Sequence, residues 1–189
     1  GGFVGNNEGT VKNCKNESAL VDGGSYTGGF AGKNSGTITG CSSSSQVNSS
    51  NSYIGGFVGQ NTGTVENCRA VDCGVKSTYD YDSDYGCGGF VGLNSGTVTK
   101  SLASSGNGQV SSVYNAGGFV GVNKGTVQYC ATTSKVVCSK NHAGGFVGKH
   151  MEGVISNCYA TGDVTGGTDY TGGFAGNISG SKAVVTRCY

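Results

Sequence analysis

The chain has 189 residues, 38 of them glycine, with no proline, no tryptophan and only 12% charged side chains, a composition that excludes an ordinary globular core and points to a repeat. Twelve basic against eleven acidic residues leave a net charge of +1, and Arg69 and Arg187 are the only arginines, which excludes a phosphate-tracking nucleic-acid surface. The longest apolar runs, such as Ala183-Val184-Val185, are far too short for a membrane span, and with no start methionine or signal peptide Gly1 is not expected to be a natural chain start.

Taken in chain order, each copy of the repeat opens on Gly-Gly-Phe. The rings are Phe3, Phe30, Phe57, Phe90, Phe119, Phe146 and Phe174, at spacings of 27, 27, 33, 29, 27 and 28 residues. Val or Ala and then Gly follow, and four residues after the ring stands Asn7, Asn34, Asn61, Asn94 or Asn123, with His150 in the sixth copy. Next comes Gly-Thr-Val or Gly-Thr-Ile, then a cysteine: Cys14, Cys41, Cys68, Cys130 and, after short insertions, Cys158 and Cys188, with Ser101 in the fourth copy. A third segment carries Val21, Val47, Val75, Val110, Val137 and Val164. An aromatic ring precedes most new copies, at Tyr26, Tyr53, Tyr85, Tyr114 and Tyr170, with His142 once in that place.

Three short β-favouring segments bounded by Gly, Asn or Ser predict three strands and three corners per copy. A helical repeat fails, because glycine costs roughly 1 kcal/mol against alanine in a helix interior and no glycine-free stretch shows a 3.6-residue period. One coil cannot bury its own apolar face, but stacking at about 4.8 Å can, so the prediction is an all-β parallel β-helix, a right-handed β-solenoid. It would hold about seven coils of 27–28 residues in a single segment spanning residues 1–189, with coils starting near 1, 28, 55, 88, 117, 144 and 172. The phenylalanines and cysteines are expected as inner ladders, the asparagines as an amide ladder, and the glycines as corners with positive φ and as points of close packing between neighbouring backbones. The sequence opens at the start of a coil, Gly1-Gly2-Phe3, and stops within one, at Cys188-Tyr189, with no cap at either end, which predicts partners that continue the stack: flanking domains of the same chain, or end-to-end copies in a filament.

The pattern Gly-Gly-Phe-Val-Gly-x-Asn-x-Gly-Thr-Val-x-Asn-Cys, continued by Cys158-Tyr159-Ala160-Thr161-Gly162-Asp163-Val164, resembles the GLUG-motif repeat family over essentially the whole chain. That resemblance implies a module of large secreted or surface-bound bacterial proteins, including haemagglutinin-type adhesins and IgA-specific metallopeptidases. In such proteins the repeat resembles a stalk or binding region apart from any catalytic domain. It implies an extracellular location and no transferable catalytic residues.

Gly86-Cys87-Gly88-Gly89 lacks the Gly-Lys-Ser/Thr and following helix of a phosphate loop, and no Ser-His-Asp or Cys-His set lines up across coils. The ladder cysteines read as small buried apolar residues, although equivalent positions on adjacent coils lie within disulfide range. Cys73 and Cys87 bracket the insertion in the 33-residue coil and are expected to form a disulfide. Within that bracket, Tyr79-Asp80-Tyr81-Asp82-Ser83-Asp84-Tyr85-Gly86 places carboxylates at alternate positions before a glycine. Asp80, Asp82 and Asp84 are therefore candidate calcium ligands, though Gly86 falls one place late and Val91 stands where a bidentate glutamate belongs. A solvated acidic loop with tyrosines lying on the solenoid is the alternative, and in either case it is the first candidate contact surface. Calcium is the one cofactor considered.

The function expected is a non-catalytic structural or adhesive solenoid acting as stalk, filament or binding surface, with a host or matrix glycan or protein as partner. A polysaccharide-acting β-helix enzyme would need carboxylates converging on one groove, and here they are scattered over unrelated coil positions. An ice-binding face would need more than the single threonine column Thr10, Thr37, Thr64, Thr97 and Thr126.

Overall fold

The computed structural model describes residues 1–17, 20–81 and 84–189, and every regular element among them is a β-strand. Strands pair in parallel one coil apart, as in the register Val4, Ala31, Val58, Val91, Val120, Val147 and Ala175 along one column. Three six-stranded sheets and one twelve-stranded sheet line the sides. The chain is thus a parallel β-solenoid of six turns, with the long strand Ala175–Thr186 adding a further pass over the largest sheet.

Each turn carries five short strands where the sequence predicts three. In the second turn they are Thr27–Gly28, Ala31–Asn34, Thr37–Thr39, Ser42–Ser43 and Gln46–Ser49. The extra breaks have a backbone cause. The residue just before each ladder cysteine is left-handed, at Asn13, Gly40, Asn67, Tyr129, Asn157 and Arg187, as is Lys100 before Ser101. A second left-handed position precedes the Gly-Gly pair, at Tyr26, Tyr53, Asn115, His142 and Tyr170. Most of these corners are non-glycine, contrary to the expectation that glycine makes them.

The glycine pairs serve close approach instead. A methyl group on Gly55 would collide with the carbonyl of Val58, and one on Gly56 with the carbonyl of Gly89 in the next coil. Backbone packed this tightly against backbone leaves no room for a Cβ.

The seven phenylalanine rings form one stack, with successive centroids 4.7, 4.8, 4.9, 4.7, 5.0 and 5.0 Å apart and planes within 12° of parallel. Beside them lie the inward columns Ala31, Val58, Val91, Val120, Val147 and Ile38, Val65, Val98, Val127, Ile155, all fully buried. The third sheet contributes Val47, Val75, Val110, Val136 and Val164, so Val136 and not Val137 is the inward residue of that coil.

The asparagines form the expected amide ladder. Asn7 Nδ2 donates to Asn34 Oδ1 at 2.7 Å, Asn34 to Asn61 at 2.8 Å, Asn61 to Asn94 at 2.9 Å and Asn94 to Asn123 at 2.8 Å. Each also donates to the carbonyl two residues on, for example Asn123 to Gly125 at 2.9 Å. His150 receives the last link. Asn123 Nδ2 donates to its Nδ1 at 3.2 Å, which leaves Nε2–H to donate to the Val184 carbonyl at 3.3 Å and fixes the tautomer.

The ladder cysteines stack as free thiols. Each Sγ donates to the carbonyl two residues earlier, as Cys68 does to Glu66 at 3.2 Å, and accepts from the coil before, as Cys68 Sγ does from Cys41 N at 3.4 Å. Ser101 reproduces both bonds: its Oγ accepts from Cys68 N at 3.1 Å and donates to Thr99 O at 2.8 Å. Buried polar atoms are thereby satisfied without a bridge.

Candidate functional site

The insertion of the 33-residue coil is the main departure from the regular rod, and local sequence explains its path. After the strand Val75–Ser77 the chain runs through Tyr79, Asp80 and Tyr81, returns at Asp84 and rejoins the stack at Cys87–Gly88. Asp82 and Ser83 lie outside the described residues.

The loop is tied to later coils by charge. Asp80 accepts from Lys140 Nζ at 2.6 Å, and Asp84 accepts from Lys149 at 3.0 Å and from Lys124 at 3.5 Å. Burial opposes ionisation of Asp84, but Lys149 and Lys124 outweigh it and hold its carboxyl below the usual range. Both described carboxylates of the expected calcium loop therefore face ammonium groups, and no cluster of three metal-ligating side chains exists among the described residues.

Beneath the loop the outward column Asn6, Lys33, Gln60, Leu93, Val122, Lys149 changes character. Its members are exposed or half-exposed at Lys33, Gln60 and Lys149, whereas Leu93 and Val122 are buried at 7% and 0% exposure. Apolar residues occupy the outward position in the coils next to the acidic loop, where Asp84 reaches over the same column to Lys149.

Tyrosines gather on the flank of the loop. Tyr85 meets Tyr53 edge-on at 4.8 Å and Tyr79 at 5.3 Å, and Tyr79 and Tyr81 lie 6.5 Å apart. Burial first, and then the neighbouring tyrosines and Asp84, push the Tyr53 phenol up, so its hydroxyl stays protonated. Tyr85 and Tyr114 do not belong to the aromatic column: Gly86 and Asn115 hold the places equivalent to Tyr53, one residue later. The true column is Tyr26 stacked on Tyr53 at 5.3 Å and His142 on Tyr170 at 5.2 Å.

The expected Cys73–Cys87 disulfide is not formed. Cys73 packs in the main core, where Ser45 N donates to its Sγ at 3.4 Å, while Cys87 sits in a separate cluster with Ile54 and Val110. Cys73, in the corner before the strand Val75–Ser77, and Cys87, on the strand Cys87–Gly88, point into different packing environments, which spacing along the chain does not reveal. Cys138, also off the ladder, donates to the carbonyls of Val113 and Asn141, both at 3.3 Å.

Sequence reasoning missed a second surface. On the third sheet the outward column Asp22, Asn48, Lys76, Ser111 runs across four coils, flanked by Gln46 and Gln109. Two adjoining depressions of about 380 and 330 Å³ lie there and share Asn48 and Lys76. The signal available in the sequence was a polar residue on both sides of Val47, Val110 and Val164 and on one side of Val21 and Val75.

Compared with known families, the chain matches the GLUG motif at residues 50–72 and 140–165. The first stretch contains Gly55-Gly56-Phe57 through Cys68 and the second Gly144-Gly145-Phe146 through Cys158, each one pass over the largest sheet. No curated protein and no solved structure matches the chain.

Proposed function

We propose that this chain, a GLUG-motif repeat protein folded as a β-solenoid, serves as a non-catalytic structural and adhesive segment outside the cell. The observation that carries this reading is the division of labour between inward and outward columns. Phenylalanine, asparagine and cysteine, the residues that define the repeat, are spent on ladders between coils. Outward positions vary freely, as Lys33, Gln60, Leu93, Val122 and Lys149 do within one column. Such a chassis holds a long surface rigid while leaving its chemistry open, which suits a stalk or a binding face.

The reading can be tested on this chain alone. Beads coated with the 189-residue chain, drawn under flow over immobilised matrix glycoproteins and glycans, test it. Retention above that of beads carrying an unrelated β-solenoid is expected. Equal retention on every surface would remove the adhesive role and leave only that of a spacer.

A further inference from the structure

The outward face of the third sheet has the chemistry of a carbohydrate site. Its two depressions are each within the range of about 300 to 1,000 Å³ usual for ligand pockets. Because they share Asn48 and Lys76, they make one groove along the solenoid axis, about 14 Å long at one coil per 4.8 Å. Gly74 and Gly108 put no side chain on its floor, and the Gln46 amide lies over Gly74.

Its walls carry groups that donate and accept together, the amides of Asn48 and Gln109 and the hydroxyl of Ser111, while the Gln46 amide is held by its bond to the Asp72 carbonyl at 3.0 Å. Among the described residues Lys76 has no ion-pair partner, so its ammonium is a free donor at the centre. Along the axis the groove runs from Asp22, whose carboxylate adds an acceptor at one end, to Gln109 and Ser111 at the other, with Thr78 beside the central Lys76, while the tyrosine cluster lines a separate recess. The loop carboxylates Asp80 and Asp84 are held by lysines.

We infer that this groove binds an uncharged oligosaccharide laid along the solenoid axis, with the amides of Asn48 and Gln109, the Ser111 hydroxyl and Lys76 bonding its hydroxyls. Hydroxyls spaced along a sugar chain need both donors and acceptors, and the amide walls supply both. Nucleic acid would require clustered cations, and an apolar helix would require an apolar groove; this face has neither. The inference rests on the adhesive reading above and names the ligand of its binding face.

Calorimetry on the 189-residue chain with cellohexaose, laminarihexaose, mannohexaose and maltohexaose at millimolar concentration tests it, with polygalacturonate as an anionic comparison. At least one neutral hexaose is expected to bind, and Asn48→Ala with Gln109→Ala to weaken it about tenfold or more. Both substitutions, on the outward face of the sheet, should leave the circular dichroism spectrum unchanged. Binding of polygalacturonate alone, absence of binding by all four hexaoses, or affinity unaffected by these variants would each overturn the assignment. Bead retention that persists when calorimetry fails would show that the adhesive reading survives without this ligand.

Discussion

Asp84 and Lys149 are 65 residues apart in sequence and 3.0 Å apart in space. Their contact joins an insertion of the third coil to a strand of the sixth, so the loop acts as a clasp across the stack and not as a free protrusion.

Replacing Asp84 with asparagine should loosen the clasp with little global effect. The pair is partly exposed, and screened surface pairs contribute about 0.2–1 kcal/mol. Because the folded carboxyl ionises below its ordinary value of 3.8, the contribution is complete at neutral pH and is lost as pH falls through the folded value. Faster hydrogen exchange in residues 78–86 for Asp84→Asn, and for the wild type in molar salt, is the expected result. Unchanged exchange would show that apolar contact with Leu93 and Val122 suffices.

His150 makes stability depend on pH in the opposite half of the range. Burial chiefly lowers its pKa from 6.5, and its Nδ1 must stay unprotonated to accept from Asn123. The unfolded chain therefore binds the proton more readily, so stability is present above pH 6.5 and declines as pH falls toward the folded value. His150→Asn restores the residue found at this place in five other coils and should flatten the difference between urea midpoints at pH 7.5 and pH 5.5, a window of about one unit on either side of the ordinary imidazole value. An equal pH response in the variant would place the titration elsewhere.

Breaking the amide ladder should cost more with a charge than with a truncation. Asn94→Ala strands the Asn61 donor and the Asn123 acceptor, at about 1–3 kcal/mol for each buried group left unpaired. Asn94→Asp keeps an acceptor for Asn61 but sets a carboxylate against Asn123 Oδ1 in a fully buried site. Urea titration should rank wild type above Ala and Ala above Asp; an Asp variant as stable as wild type would mean that water enters the ladder.

Phe119 has a ring partner on each side, at 4.7 and 5.0 Å, and is fully buried. Truncation to alanine should destabilise by about 3–5 kcal/mol through lost transfer and a retained cavity. Since coils couple mainly to neighbours, a broadened or two-step transition is expected in the denaturation curve.

Thiol labelling should divide the nine cysteines. Cys14 and Cys188 are partly exposed and the other seven are buried. Burial raises the Cys68 thiol to about 12 and pushes Cys87 higher still, which makes both unreactive at neutral pH. Under native, non-reducing conditions two thiols should react with an aromatic disulfide reagent, and all nine after denaturation without reductant. A total of seven after denaturation would mean that one disulfide forms after all.

The sequence by itself determined the columns that lie inside. Stacking at a fixed rise forces equivalent residues of successive coils into contact, so a spacing near 27 residues that brings Phe, Asn and Cys back in phase already specifies three ladders. The same logic faltered wherever phase shifted by one residue. Spacing points to Val137 where Val136 faces inward, and to Tyr85 where Gly86 matches Tyr53, because the distance between ladder positions varies by a residue from coil to coil and composition cannot tell which of two adjacent residues faces inward. Tertiary structure alone decided the rest. The lysines that hold Asp80 and Asp84 come from coils 40 to 65 residues away, and nothing in their local sequence marks them as partners. The separation of Cys73 from Cys87 and the groove over Asn48 and Lys76 depend likewise on which corner or sheet each residue occupies, a matter settled by left-handed corners at ordinary residues such as Asn67 and Tyr53, where the chain's own preferences are weak and the stack imposes the turn.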